Sequence, residues 1–209
     1  CVAGSRLLVQ ESIHDEFVEK LVTFAKTAKM GDPMSEDTHV GPVTTYPQFE
    51  KVLGYLDVAR EEGVDCVLGG ERATRPECGD GWFVEPTIYT NVQNSMRIAQ
   101  EEIFGPVLSV IPFKDEDDAI RIGNDVVFGL AAGIWTQSIR RAIELSKRLQ
   151  AGTVWVNMYR ALSYSTPFGG YKQSGLGREN GQEAIREYLQ TKTVWLSTSE
   201  DVPNPFVMR

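Results

Sequence analysis

The first residues of the chain form a segment whose composition suits nucleophilic catalysis. Residues 1–6, Cys-Val-Ala-Gly-Ser-Arg, place a cysteine among small residues directly before a predicted strand. A thiolate held in a tight turn can attack a carbonyl carbon while backbone N–H groups face the developing oxyanion. The other interpretation is that Cys1 is a small buried apolar residue, as most lone cysteines are. The spacing alone leaves both interpretations open.

A second segment offers carboxylates at the start of a strand. Residues 101–107 read Glu-Glu-Ile-Phe-Gly-Pro-Val and lead into an apolar run. A carboxylate in such a place can accept both hydroxyls of a ribose, as acidic residues do in dinucleotide-binding folds. The alternative is a solvated acidic pair that happens to precede a strand.

The third segment, residues 167–181, is the densest in glycine. Gly175, Gly177 and Gly181 give the spacing G-x-G-x-x-x-G, which is one residue too long for a dinucleotide fingerprint, and no strand leads into it. Glycines at this density indicate unusual backbone angles or close approach to another segment. A functional loop and a tight packing turn both fit.

The remaining residues that could do chemistry lack matched partners. His14 and His39 lie near no set of metal ligands and no catalytic triad, so we predict two ordinary surface residues and no metal site. Cys66 lies in an apolar strand and Cys78 in a charged loop, and for both a structural role is predicted.

Short strands and capped helices must position these segments. Strands are predicted over residues 6–10, 65–68, 82–85, 87–89, 107–111, 131–135, 154–156 and 193–196. Helices are predicted after an N-cap at Ser12 with Asp15, from Pro47, after an N-cap at Asp115 with Asp118, from Ile139, and over 182–188. This alternation predicts an α/β fold with a largely parallel sheet and helices on both faces.

Composition excludes several classes of partner. The 209 residues include 21 basic and 29 acidic side chains, a formal net charge of −8, which repels nucleic acid. No apolar run of 18 residues occurs, so no membrane span is predicted.

Three cysteines without a C-x-x-C pair argue against a disulfide scaffold. With no visible signal peptide, a cytoplasmic location is expected.

Taken together, these segments resemble the NAD(P)-dependent aldehyde dehydrogenase superfamily. Residues 1–6 are similar to the family's catalytic-cysteine motif from the cysteine onward. Residues 101–107 and 167–175 are similar to two more of its signatures, and Gly-Thr-Val-Trp-Val-Asn at 152–157 fits as well. The four segments follow one another in the family's order along the whole chain.

The resemblance implies a role for each site residue. Cys1 would be the thiolate that attacks a small-molecule aldehyde to give a thiohemiacetal. Hydride would leave to the nicotinamide of NAD or NADP, and water would hydrolyse the thioester to the acid. Glu102 would bind the nicotinamide ribose, and Phe104 would pack beside that end of the cofactor. The substrate tunnel would be lined by Val2, Leu162 and Phe168.

The resemblance also implies a division of the chain. Residues 1–190 would be the carboxy-terminal portion of the catalytic domain, and residues 191–209 a strand and tail whose strand 193–196 builds homodimers or homotetramers. The family's cofactor-binding domain, its general-base glutamate and its oxyanion-hole asparagine all precede the cysteine. We therefore expect these 209 residues alone not to oxidise aldehydes.

Two other functions remain open at this stage. One is an N-terminal-nucleophile hydrolase, in which the amine of Cys1 acts as base toward its own thiol. The other is a non-catalytic fragment that serves oligomerisation or interaction. The sequence names neither the aldehyde nor the choice between NAD and NADP, because in the family the residue that reads the ribose 2′ position belongs to the cofactor-binding domain.

Overall fold

The computed structural model describes residues 1–201, 204, 206 and 207. Its strands are β1 (Arg6–Gln10), β2 (Asp65–Leu68), β3 (Thr87–Thr90), β4 (Val107–Phe113), β5 (Phe128–Gly129), β6 (Ala131–Ile134), β7 (Thr153–Val156) and β8 (Tyr171–Lys172). Its α-helices are α1 (His14–Ala25), α2 (Tyr46–Glu61), α3 (Arg97–Gln100), α4 (Glu116–Asn124) and α5 (Ile139–Arg148). Short 3₁₀ helices cover Glu11–Ile13, Pro76–Cys78 and Gln182–Tyr188. Among the described helices, none is long and apolar enough to cross a lipid bilayer.

The principal sheet has the strand order β1-β4-β3-β2. The strand β4 runs parallel to both β1 and β3, and β2 adds an antiparallel edge. Arg6 pairs with Ser109, and Thr87 pairs with Val107. Parallel neighbours need a long crossover between them, and the chain supplies it with the helices between β1 and β4.

Helices cover both faces of this sheet. On one face Val18 of α1 packs with Val9 and Val110. On the other face α2 buries four side chains at helical spacing against the odd-numbered positions of β4, and these are Phe49, Val52, Leu56 and Ala59. The predicted α/β fold, with a largely parallel sheet between two helical layers, is confirmed.

Two smaller sheets follow in the chain. The strands β6 and β7 pair in parallel, and β5 pairs antiparallel with β8. A Cβ atom added at Gly152 would lie 1.7 Å from the carbonyl oxygen of Gly169, so the two backbones are in direct contact. At Gly169 the glycine-rich segment is therefore a tight packing turn, one of the two interpretations that its composition left open.

Two predicted helix starts had different outcomes. Asp115 caps α4, its carboxylate accepting from the Asp118 N–H at 2.9 Å, while the Asp118 carboxylate accepts from the Lys114 N–H at 3.0 Å. The predicted N-cap at Ser12 is wrong, because Ser12 lies inside the 3₁₀ turn Glu11–Ile13 and α1 begins without a side-chain cap.

The prediction of a surface position for His14 is also wrong. Its side chain is buried, and its ring nitrogens share hydrogen bonds with Asp15 at 2.8 Å and Thr90 at 3.1 Å. His39 is exposed, as expected. A buried imidazole needs partners for both nitrogens, and the end of β3 provides one of them.

Three further predicted elements differ from the structure. Residues 82–85 form a single bridge, between Val84 and Arg72, instead of a strand. The last predicted α-helix, 182–188, is a 3₁₀ helix. Residues 193–196 are not a strand in this chain, since their exposed backbone has no ladder partner among the described residues.

Candidate functional site

The predicted site lies before the amino ends of two neighbouring parallel strands. Cys1 is five residues before Arg6, and Phe104 is five residues before Ser109, the partner of Arg6 in the β1–β4 ladder. The Ser109 N–H donates to the Ser5 carbonyl at 2.9 Å. The segments 1–5 and 101–106 therefore enter the sheet side by side.

Tyr159 joins the first of these segments to the loop after β7. Its hydroxyl accepts a hydrogen bond from the Gly4 N–H and donates to the Val2 carbonyl at 3.3 Å. The ring packs edge-on against Trp155, with centroids 5.6 Å apart. The buried indole of Trp155 thus fixes the phenol that holds the backbone next to Cys1.

Arg6 anchors the same segment where it enters β1. Its guanidinium donates to the Asn94 side chain at 2.8 Å and to the carbonyls of Ile122 and Gly123, each at 2.9 Å. Burial lowers the pKa of Arg6, and the nearby Asp125 carboxylate opposes that shift. The arginine therefore ties the start of β1 to the carboxyl end of α4, where a cation is favoured.

The loop after β7 is held at several points. The Asn157 side chain accepts from the Thr136 N–H at 2.9 Å and donates to the Thr136 carbonyl at 2.7 Å. The Trp155 indole N–H donates to the Ala161 carbonyl at 2.8 Å. Further along, Phe168 and Glu179 exchange two backbone hydrogen bonds of 2.7 and 2.8 Å. Leu162 lies between these fixed points, and its side chain is exposed.

The two adjacent glutamates of the second segment have different surroundings. Glu101 accepts from Arg97 at 2.8 and 3.0 Å and from the Tyr55 hydroxyl at 2.7 Å. The hydrogen bonds from Arg97, then that from Tyr55, lower the pKa of Glu101 to about 2. Glu102 is exposed, and no side-chain partner is recorded for it among the described residues. Of this pair, Glu102 is therefore the carboxylate available to a ligand.

Phe104 adopts an uncommon backbone conformation. Its φ is +58°, in the left-handed region that non-glycine residues rarely occupy, and its ring is 57% exposed. The Gln48 side chain donates to the carbonyls of Ile103 and Phe104 at 2.9 and 3.2 Å, which holds this turn. Strained, exposed residues of this kind cluster at binding sites.

The structure places the predicted residues on an open surface. Cys1, Glu102, Phe104 and Leu162 are exposed, while Val2 and Phe168 are half-buried. A hydrogen bond from Tyr159 connects Val2 with the loop that carries Leu162. Glu102 and Cys1 are related through the pairing of the strands that follow them, β4 and β1.

Cys66 is exposed in β2, and Cys78 is buried, which raises its pKa. Within the described ranges no three His, Cys, Asp or Glu side chains form a group that could hold a metal ion.

The sequence did not point to Tyr159, Trp155 or Arg6 as positioning residues. Arg6 lies in the motif at 1–6 and Trp155 in the motif at 152–157, but only their contacts in the structure show which segments they position. Tyr159 lies two residues after the motif at 152–157, and the available signal was an aromatic hydroxyl shortly after the predicted strand 154–156.

Fold and site together define an α/β protein with an exposed thiol at the edge of a mostly parallel sheet. The family model that matches it, over residues 1–194, is the aldehyde dehydrogenase family. The chain belongs to this family.

Individual relatives agree with the family match. The chain is 47% identical over 194 residues to an aldehyde dehydrogenase of Emericella nidulans, covering 93% of this chain and 38% of that protein. It is 45% identical over 206 residues to betaine aldehyde dehydrogenase of Mesorhizobium japonicum, covering 99% and 42%. The crystal structure of betaine aldehyde dehydrogenase from Staphylococcus aureus with NAD+ has a TM-score of 0.94 at 43% identity, covering 100% of this chain and 41% of that one. The chain thus spans about two fifths of the length of these proteins.

Proposed function

We propose that this chain supplies the nucleophile and one wall of the site in a subunit that oxidises an aldehyde to a carboxylic acid with NAD or NADP. The observation that carries the proposal is the double contact of the Tyr159 hydroxyl with Val2 and Gly4. It fixes the Cys1 segment beside the loop that bears Leu162. Family membership and an NAD+-bound structural neighbour support the same reaction class.

In the proposed reaction the Cys1 thiolate attacks the aldehyde carbon, and a thiohemiacetal forms. NAD or NADP, when bound, would supply the acceptor for the hydride that leaves this carbon. The thioester that results is hydrolysed by water, which releases the acid and the thiol. Tyr159 and Arg6 hold the segment that follows the nucleophile, at Gly4 and at the start of β1, which favours a fixed orientation of the thiol toward the carbonyl.

The second segment fits the nicotinamide end of the cofactor. Glu102 offers an exposed carboxylate, without a side-chain partner in the described part of the chain, for two ribose hydroxyls, and Phe104 offers an exposed ring two residues away. Both lie in the turn that Gln48 holds at the sheet edge. Val2, Leu162 and Phe168 would form this chain's part of the substrate wall. In subunits of the relatives' length, the remaining three fifths would supply the rest of the cleft.

The proposal extends to assembly and location. Val194, Trp195 and Leu196 are exposed apolar side chains, which supports a homo-oligomer built through this segment. A cytoplasmic location is proposed because Cys1, Cys66 and Cys78 are all free thiols.

The deciding experiment replaces the nucleophile in the subunit that carries these residues. Cys1→Ala should lower aldehyde-dependent NAD+ reduction by at least about a thousandfold, because it removes the thiol that forms the proposed thioester. Cys66→Ala is the matched control, since Cys66 is also an exposed free cysteine but lies in β2. Retained activity in Cys1→Ala, or equal loss in Cys66→Ala, would refute the proposal. Wild-type subunit that binds no NAD+ and only self-associates would favour the non-catalytic alternative.

The cofactor assignment has its own comparison. Glu102→Gln should raise the KM for NAD+ severalfold, whereas Glu101→Gln should leave it unchanged because Glu101 is already bonded to Arg97 and Tyr55. Equal effects of the two substitutions would contradict a ribose contact at Glu102.

A further inference from the structure

Arg160 is an exposed arginine with an unusual lack of partners. Every other described arginine donates a side-chain hydrogen bond, joins an ion pair or lies over an aromatic ring. For the guanidinium of Arg160 no such contact is recorded among the residues that the structure describes. Arginine has five N–H donors, so this side chain is free to bind something outside the chain.

The backbone of Arg160 is held in a costly conformation. Its φ is +59°, in the left-handed region, where the Cβ atom of a non-glycine residue crowds the backbone. Contacts on both sides hold the backbone there, from the Tyr159 hydroxyl before it and from the Ala161 carbonyl after it. A strained residue that its neighbours fix in place indicates a required orientation of its side chain.

The same contacts place the loop that carries Arg160 against the segment that follows the proposed nucleophile. The Cα atoms of Arg160 and Tyr159 are about 3.8 Å apart, as in any trans peptide. The hydroxyl of Tyr159 touches Val2 and Gly4. Leu162, the predicted wall residue, follows two positions later. Arg160 therefore stands on the loop where the part of a substrate remote from its carbonyl would pass.

We propose that Arg160 selects aldehydes whose far end carries an anionic group, a carboxylate or a phosphate. The inference rests on the proposed function of the site. The planar guanidinium fork binds either anion through two charge-assisted hydrogen bonds. The chain as a whole carries a formal net charge of −8, which repels such substrates, so a free cation at the site's mouth supplies the local attraction they need. The positive charge of Arg160 disfavours a cationic aldehyde at the same place.

The test compares aldehydes that differ in charge at similar length. The subunit that carries these residues is assayed with 4-oxobutanoate against butanal, with glyceraldehyde 3-phosphate against glyceraldehyde, and with betaine aldehyde as the cationic probe. R160Q removes the charge and R160K keeps it without the planar fork. The matched control is K147Q, which removes an exposed cation from α5.

We expect wild type to favour the anionic member of at least one pair. R160Q should lower kcat/KM for that member about tenfold or more, as the loss of a charge-assisted bond predicts, and leave its neutral analogue unchanged. It should also raise kcat/KM for betaine aldehyde, and R160K should fall between. Whichever pair responds identifies carboxylate or phosphate. Equal effects on charged and neutral aldehydes, or an equal effect of K147Q, would overturn the proposal.

A second readout separates this inference from the proposed reaction. Succinate and glycerol 3-phosphate should slow alkylation of Cys1 by iodoacetamide in wild type and not in R160Q. Protection in a protein that oxidises no aldehyde would support the anion site and refute the dehydrogenase assignment. Oxidation of aldehydes with no Arg160-dependent preference and no protection would refute the anion site alone.

Discussion

At the scale of single residues, the site depends on side chains that act through the backbone of others. Tyr159 hydrogen-bonds to the backbone of Val2 and Gly4 and to no predicted reacting atom. The Arg6 guanidinium donates to three acceptors, on Asn94, Ile122 and Gly123. Neither role can be read from local sequence, because each depends on a partner at least 88 residues away in the chain. The residues that were predicted, Cys1 and Glu102, stand out because their own chemistry is recognisable.

Removing the Tyr159 hydroxyl should loosen the segment that follows Cys1, the proposed nucleophile. A neutral hydrogen bond contributes about 0.5–1.5 kcal/mol, so we expect Tyr159→Phe to lower kcat/KM roughly two- to tenfold. The rate at which iodoacetamide alkylates Cys1 should change in the same variant. Tyr164→Phe is the control, because Tyr164 is 90% exposed and its hydroxyl has no partner within the described chain. Identical behaviour of the two variants would contradict the positioning role.

The ion pair of Glu101 predicts a pH-dependent contribution to stability. The pKa of Glu101 is lowered to about 2, below the ordinary glutamate value, so its contribution is present above about pH 4.5 and is lost as pH falls toward 2. The side chain of Arg97 is 56% exposed and that of Glu101 is 39% exposed. Solvent screening therefore keeps the contribution of this ion pair to the free energy of unfolding below about 1 kcal/mol. Glu101→Gln should therefore lower Tm at pH 7 and by progressively less below pH 4.5.

The exposed Arg140–Glu144 pair on α5 supplies the comparison for Glu101. Glu144→Gln should change Tm less than Glu101→Gln does at pH 7, since Glu144 lacks a second donor comparable to Tyr55. A Tm difference between Glu101→Gln and wild type that grows as pH falls would have the wrong sign for a lowered pKa.

At the scale of elements, the turn before β4 is shaped by its contact with α2. A Cβ atom added at Gly105 would lie 2.6 and 2.8 Å from the two methyl carbons of Val52, which is fully buried. Packed cores have little room to yield, so only glycine fits between Phe104 and the helix. The position of Phe104 thus follows from the packing of α2 on the sheet.

Two glycine substitutions test this packing. Gly105→Ala should destabilise the fold by about 1–3 kcal/mol, because the added methyl overpacks the core at Val52. Gly54→Ala, in the middle of α2 with nothing within 4 Å of the added atom, should stabilise it by about 0.5–1 kcal/mol. Urea unfolding followed by tryptophan fluorescence measures both. A neutral or stabilising Gly105→Ala would show that the turn is not confined by α2.

At the scale of the whole molecule, local signals predicted most of the fold. Apolar periodicity located α2 and β4, and capping chemistry located the start of α4, because these depend on residues a few positions apart. The two-residue strands β5 and β8 were missed, since their pairing joins Phe128 to Lys172 and neither strand has a period of its own. For the site, the residue types were recognisable, but the contacts that assemble them were not.

The segment 193–196 shows why one strand prediction failed within this chain. Its run of apolar residues, Val194 to Leu196, is typical of a strand, yet a strand needs a neighbour, and the described residues provide none. If a second copy supplies it, as we propose, Trp195→Asp should reduce the mass measured by sedimentation velocity and leave far-UV circular dichroism unchanged. Phe24→Asp, at an exposed site on α1, is the control. Unchanged sedimentation of Trp195→Asp would place the interface elsewhere.

The contact between Gly4 and Tyr159 also constrains the order in which the site can form during synthesis. The two residues are 155 positions apart. A ribosome adding about 5–20 residues per second needs roughly 8–30 s to bridge that interval. Throughout this time the thiol of Cys1 is on the nascent chain without the clamp that orients it. The orientation of this thiol is therefore acquired late, once the loop after β7 has emerged, and a truncated translation product would carry the cysteine without its clamp.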